Sequence, residues 1–190
     1  PHAHVVAGGT DFAIELSQNM LLPDVIISLS QAKELCTLSD NDGELHIGAA
    51  LPYSQFVEAF YTYYPESKEL FERLGSNQIR NSGTLGGSIG NASPIGDPAP
   101  LLIALNATMD LLSAAGTRTI NVADYFVDYK KTVINSDEVI SKITVPKRPD
   151  SLKLACHKIS KRFEDDISTV CLVLAIEQTQ GVISLSLIHI

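Results

Sequence analysis

Two glycine-bearing segments constrain this chain more than any other feature. The longer runs Thr84-Leu85-Gly86-Gly87-Ser88-Ile89-Gly90-Asn91-Ala92-Ser93-Pro94-Ile95-Gly96-Asp97, with four glycines in fourteen positions. The shorter reads Val5-Val6-Ala7-Gly8-Gly9-Thr10-Asp11-Phe12. Backbone without side chains can approach a ligand closely and turn its N–H groups toward anionic oxygens. A lone Gly-Gly pair is most simply a tight turn. Two such loops, each after an expected strand and each flanked by Thr, Ser, Asn or Asp, suggest closure on one nucleotide diphosphate. Neither loop has the spacing Gly-x4-Gly-Lys-Ser/Thr or Gly-x-Gly-x-x-Gly. An ordinary mononucleotide or Rossmann site is therefore not expected.

Periodicity places these loops among short elements. Val5-Val6-Ala7 reads as a buried strand, after which Thr10 or Asp11 can cap a helix with Phe12, Leu16 and Met20 along one face. Further strands are expected at 24–29 and 44–49, the latter after the turn Asn41-Asp42-Gly43, so residues 1–50 read as a small β-α-β lobe. Residues 55–64 and 66–74 are helical by period, the second ending at Gly75. Asp97-Pro98 supplies an N-cap and a first-turn proline for a helix over 99–106. A hairpin is expected at 108–113 and 118–122, with strands at 138–145, 152–158, 169–177 and 182–190. Helices followed by a run of strands, without strict alternation, indicate an α+β layout.

Composition narrows the function classes. A net charge of −8 argues against a nucleic-acid partner, which requires a basic face. No apolar run approaches the ~20 residues of a membrane-spanning helix. Cys36, Cys156 and Cys171 have no Cys-x-x-Cys spacing, which fits a reducing, cytoplasmic setting and gives this chain no iron–sulfur or zinc site of its own. The five histidines, at 2, 4, 46, 157 and 189, form no metal-ligand spacing. No nucleophile–base pair or carboxylate pair stands out, so no catalytic side chain is assigned and the chemistry is expected from a cofactor.

Thr10, Thr84, Ser88 and Ser93 are the candidate hydroxyl donors to phosphates. Asp97 reads either as a helix cap or as an acceptor for a ribose or ring hydroxyl. The mixed-charge run Lys158-Ile159-Ser160-Lys161-Arg162-Phe163-Glu164-Asp165-Asp166-Ile167-Ser168 is a solvated inter-strand loop or, at a redox site, a source of charge beside a flavin.

Three stretches carry a family resemblance: Val6-Ala7-Gly8-Gly9-Thr10-Asp11; Gln78-Ile79-Arg80-Asn81-Ser82-Gly83-Thr84-Leu85-Gly86-Gly87-Ser88-Ile89; and Ala92-Ser93-Pro94-Ile95-Gly96-Asp97. They resemble the FAD-binding domain of molybdenum hydroxylases. The Ser160–Ser168 run looks most like the iron–sulfur/FAD small subunit of bacterial xanthine dehydrogenase. The resemblance implies a two-subdomain FAD-binding fold of the PCMH/vanillyl-alcohol-oxidase-like type. Its lobes would be 1–50 and 51–147, followed at 148–190 by the start of a flavoprotein C-terminal domain. It implies that Val5, Val6, Ala7, Gly8, Gly9, Thr10, Asp11 and Phe12 hold the FAD pyrophosphate together with Thr84, Leu85, Gly86, Gly87, Ser88 and Ser93. Leu74, Asp97, Ile140 and Lys158 would contact the flavin side, and residues 159–168 would border the ring and shape an NAD site.

The resemblance further implies electrons arriving from a molybdopterin centre on a partner subunit through two [2Fe–2S] clusters, hence a hetero-oligomer. The family usually has Asn where this chain has Ser88. The expected iron–sulfur domain and first part of the FAD lobe are missing upstream, and Leu185-Ser186-Leu187-Ile188-His189-Ile190 replaces the family's Ala-x-Gly-Gly-type turn, so the chain reads as truncated at both ends. The alternatives are the medium FAD subunit of a carbon monoxide or aromatic-substrate dehydrogenase, and a scaffold module without cofactor.

Overall fold

A computed structural model describes residues 3–189, apart from the side chains of residues 179, 184, 185 and 189. Ile190, expected within the last strand, and His2 lie outside the described residues. The chain begins with β1 (Ala3–Val6), α1 (Thr10–Gln18) and β2 (Val25–Ser28), whose strands pair in parallel from Ala3 opposite Val25 to Val6 opposite Ser28. This is the expected β-α-β unit, but none of β1, α1 and β2 contributes a buried residue, so β1 is not the buried strand expected.

β3 (Leu38–Asn41) and β4 (Glu44–Gly48) form a hairpin at the expected turn. Asp42 and Gly43 there have φ of 50° and 83°, the left-handed pair that matches strand twist in a tight hairpin. β4 then hydrogen-bonds to a strand about a hundred residues later in the chain. Residues 38–48 therefore pair into the central sheet rather than with β1 and β2, and the first fifty residues divide between two sheets.

α2 (Tyr53–Tyr63) buries Tyr53, Phe56, Val57 and Phe60, the i, i+3, i+4, i+7 stripe of a helix lying on a sheet. The helix expected over 66–74 is shorter: a 3-10 turn at Pro65–Ser67 leads into α3 (Lys68–Glu72), and Gly75 follows with φ of 59°. The stretch between Gly75 and Asp97, where no helix is expected from the sequence, contains α4 (Asn77–Ser82) and α5 (Leu85–Gly90), followed by α6 (Pro98–Ala104).

The strands β5 (Thr108–Ser113), β6 (Gly116–Asn121), β7 (Phe126–Asp128), β8 (Lys131–Thr132), β9 (Val139–Pro146), β10 (Leu152–Ile159), β11 (Val170–Thr179) and β12 (Val182–His189) complete the chain. The central five-stranded antiparallel sheet has the order β3-β4-β9-β5-β6, and a second antiparallel sheet has the order β10-β11-β12. β7 and β8 form a small separate hairpin.

Alternation decides which face of the central sheet is covered. Leu45 and Ile47 of β4 align with Val145 and Ile143 of β9, and Met109 of β5 aligns with Ile143. All five are essentially solvent-free and face α2, α3, α5 and α6 through Phe56, Phe60, Phe71, Leu85, Ile89, Leu101 and Leu102. Each such side chain contributes about 1.5–3 kcal/mol on burial. α6 also packs on β11 and β12, and α3 on β10, joining the second sheet to the same core.

Candidate functional site

The first glycine segment turns β1 into α1. Gly9 occupies the N-cap with φ of 71°, a conformation natural to glycine, and no side chain caps the helix, contrary to the cap expected from Thr10 or Asp11. Gly8 is required by packing: a Cβ there would meet Ser82 O at 2.1 Å. The first-turn amides of Thr10, Asp11 and Phe12 have no partner within an α-helix, and they stand at the positive end of the helix dipole. This end is suited to an anion.

The second segment behaves differently. Thr84 caps α5, its Oγ1 accepting from Gly87 N at 3.0 Å. The Gly86 N–H donates to Ala49 O at 3.1 Å and the Ser88 N–H to Thr84 O at 3.0 Å. The outward-pointing amides expected of this loop are therefore largely occupied within the protein, and what it offers a ligand is its side chains and its lack of Cβ bulk. Gly86 itself is held against Ala49, where a Cβ would approach Ala49 Cβ to 2.5 Å.

Between the two segments lies a cavity of about 530 Å³, within the range of small-molecule and cofactor sites. Its walls include every residue from Val5 to Phe12, together with Leu74, Thr84, Gly86, Gly87, Ser88 and Ile140. The fold thus gathers most of the positions singled out from sequence, although residues 12 and 140 are far apart in the chain. Asn91 Nδ2 donates to Asp11 Oδ2 at 2.8 Å, tying α1 to the end of α5. Glu138 also lines the cavity. Arg118 grips it through Nε at 2.6 Å and Nη2 at 2.8 Å and holds its carboxyl down to about 2.

Sequence reasoning missed Tyr53 and Tyr125. Both line the cavity, and among the described residues they carry the only buried side-chain N or O atoms without a hydrogen-bond partner. Burial raises both phenols above the ordinary tyrosine value. Buried hydroxyls are rarely left unmatched, so two bordering one cavity mark it as a place where polar groups are expected. Neither belongs to a recognisable local motif; Tyr53 sits on the apolar stripe of α2, and Tyr125 lies just before β7.

Leu85, Ser93, Asp97 and Lys158 fall outside this lining. Leu85 is fully buried in the core. Ser93 and Asp97 line a second cavity of about 560 Å³. Asp97 precedes Pro98 as expected, yet its carboxylate makes no cap. Its Oδ2 accepts from Lys158 Nζ at 2.7 Å and its Oδ1 from Ser168 Oγ at 2.5 Å. Lys158 Nζ also donates to Asp166 O at 2.9 Å and Ser168 Oγ at 2.8 Å, which occupies all three of its protons. The ammonium is thereby neutralised inside the protein, and the 160–168 segment is fastened to α6.

Arg73, also unmarked by sequence, holds the same segment from the other side. It is 7% exposed, donates to Phe163 O, Lys158 O and Ser160 Oγ at 2.7–2.9 Å, and lies 4.5 Å from the Phe163 ring centroid. The charge run is a built loop with two buried cationic anchors. Phe163 and Ile167 remain more than half exposed at its surface.

Residues 1–148 match the family model described as the FAD binding domain in molybdopterin dehydrogenase. The chain is 32% identical over 173 residues to the nicotinate dehydrogenase FAD-subunit of Eubacterium barkeri, covering 87% of this chain and 58% of that protein. It is 31% identical over 182 residues to xanthine dehydrogenase 2 of Arabidopsis thaliana, covering 90% of this chain and 14% of that protein. In fold it is similar to a chain of the carbon monoxide dehydrogenase from Hydrogenophaga pseudoflava, with a TM-score of 0.91 at 24% identity over 98% of this chain and 65% of that one. The chain therefore spans little more than half of the FAD-subunit relative and a small fraction of the xanthine dehydrogenase. The α+β fold with its two glycine segments around one cavity, and a family match extending over residues 1–148, lead to one conclusion: the chain belongs to the FAD-binding domain family of the molybdopterin dehydrogenases.

Proposed function

We propose that this chain is the electron-transferring FAD module of a xanthine dehydrogenase-like molybdenum hydroxylase. In this reading it receives electrons from [2Fe–2S] clusters on another domain or subunit, which are reduced in turn by a molybdopterin centre, and it delivers them to NAD in the cytoplasm. The observation that carries the reading is the cavity between α1 and α5, lined by both glycine segments. Two unmatched tyrosine hydroxyls and an uncapped helix N-terminus give its donor set the character a dinucleotide requires.

The uncapped amides of Thr10, Asp11 and Phe12 would take the pyrophosphate, with Ser88 facing them from α5. Leu74 and Ile140 would supply apolar walls for the rings. Bound FAD supplies the exchange between one-electron and two-electron transfer that no side chain of this chain provides. Lys158 and Arg73 do not donate into the cavity; their role in this reading is to hold the 160–168 segment as a shaped border beside it.

The second reading is the medium FAD subunit of a dehydrogenase acting on another substrate. Relatives named as separate FAD, medium-chain or medium subunits support it, among them the glyceraldehyde dehydrogenase medium chain of Sulfolobus acidocaldarius, 32% identical over 162 residues. Titrating the purified protein with FAD and then adding NADH anaerobically separates the cases. Bleaching of the flavin absorbance by NADH supports the first reading, whereas a flavin that binds but ignores NADH favours the second. A protein that binds no FAD would be the scaffold module.

A further inference from the structure

The second glycine segment has few donors left for an anion. Gly86, Gly87 and Ser88 amides are occupied by Ala49 O, Thr84 Oγ1 and Thr84 O, and the Thr84 oxygen is engaged as the cap. Ser88 is the half-buried hydroxyl of α5 that lines the cavity. A phosphate is an acceptor only, so Ser88 can serve it only by presenting its proton.

Tyr53 lines the same cavity as Ser88. It is 2% exposed, its N–H donates to Gly83 O at 3.0 Å, and its ring packs on Phe56 and Phe71 with centroids 5.5 and 6.0 Å away. The phenol is thus locked in place. Its oxygen meets no partner at hydrogen-bonding geometry. Ser88 is the hydroxyl near enough to favour its ionised form, against burial and the charges of Asp11 and Asp97, which keep it protonated. A phenol O–H is a stronger acid than an alkyl hydroxyl, so between these two groups the tyrosine donates.

We propose that Tyr53 is a positioning residue: its O–H donates to Ser88 Oγ and thereby turns the serine proton outward, onto a phosphate oxygen of the diphosphate in the cavity. This rests on the FAD reading above. The two hydroxyls are not hydrogen-bonded in the structure, so a turn of the Ser88 side chain is part of what the proposal requires.

The test is calorimetric titration of the full chain with FAD and with ADP, which carries the diphosphate but no flavin. Tyr53→Phe and Ser88→Ala are each expected to raise Kd for both ligands about tenfold, as for loss of one hydrogen bond to a charged acceptor. In Tyr53→Phe/Ser88→Ala the two losses should collapse into one, because they share a single hydrogen bond. Ser88→Thr, which keeps the hydroxyl, should restore binding.

Wild-type affinity in Tyr53→Phe, or a double variant whose loss is the product of the single losses, would overturn the relay while leaving FAD binding intact. Loss of FAD binding with ADP binding unchanged would overturn the assignment to the diphosphate. If the unaltered chain binds no FAD, the parent reading falls and this inference falls with it. Should Tyr53→Phe fold poorly, the comparison of Ser88→Ala with Ser88→Thr decides: equal binding by the two overturns the proposal.

Discussion

The backbone of Gly86 lies directly on Ala49, its N–H bonded to Ala49 O at 3.1 Å and its missing Cβ only 2.5 Å from the alanine methyl. Gly86→Val therefore acts through packing whether or not a ligand is present, with an expected loss of about 2–3 kcal/mol from the overpacked contact. Gly87 is different, since a Cβ there meets only Thr84 Oγ1, at 2.9 Å, on a side chain that can turn. Gly87→Ala should melt near the wild-type temperature, the lost cap being offset by better helix propensity, yet bind FAD about tenfold more weakly. Thermal melts beside FAD titrations check this, and wild-type affinity in Gly87→Ala would detach α5 from the ligand.

The Lys158–Asp97 pair is 2% and 7% exposed at its side chains, so removing one partner leaves a buried charge unmatched. Asp97→Asn is expected to cost about 3–5 kcal/mol, whereas Asp97→Leu/Lys158→Met should recover much of that loss. The single variant should also free the 160–168 segment, giving faster tryptic cleavage after Lys161 or Arg162. Equal cleavage rates in variant and wild type would show that Arg73 alone holds the loop.

Glu138 is held down from the usual 4.5 to about 2, first by Arg118 and then by the Asn135 N–H. A depressed folded pKa stabilises the protein above the unfolded pKa, and that contribution disappears as pH falls through the folded one. Wild type should accordingly lose stability between about pH 4.5 and 2 more steeply than Glu138→Gln. Asp40, Asp128 and Asp166 are lowered as well and act in the same direction, but they remain in the variant, so the difference between the two urea-midpoint curves isolates Glu138.

Burial pushes the Cys156 and Cys171 thiols up to about 12. At pH 8 only about one in ten thousand of either is thiolate, the reactive form. Ellman's reagent should modify these two slowly in the folded protein and at once in denaturant. Rapid reaction of all three cysteines at neutral pH without denaturant would contradict the half-buried placement of Cys156 and Cys171.

The elements legible in the sequence were those with a strong period or strong punctuation. The Asn41-Asp42-Gly43 turn, the α2 stripe and the strands from Thr108 onward lie close to where periodicity puts them, because alternation and the 3.6 repeat report burial on one face directly. The two helices between Gly75 and Asp97 were not legible. α5 is built from Leu85-Gly86-Gly87-Ser88-Ile89-Gly90, three glycines in six residues, and it exists because Thr84 caps it and Leu85 and Ile89 are drawn into the core. The pairing of β4 with β9 was equally hidden, since nothing local in residues 44–48 names a partner a hundred residues away.

By itself the sequence determined which segments surround the cavity, because two glycine-bearing runs with flanking hydroxyls are a local property of the chain. The tertiary structure decided what each residue does there. Gly8 and Gly86 are required by Ser82 and Ala49 rather than by a ligand, Asp97 answers Lys158 rather than its own helix, and Tyr53 and Tyr125 reach the cavity from the hydrophobic core. The physical reason is that close approach, charge neutralisation and burial depend on the three-dimensional neighbour, and a neighbour forty to eighty residues distant leaves no trace in local spacing.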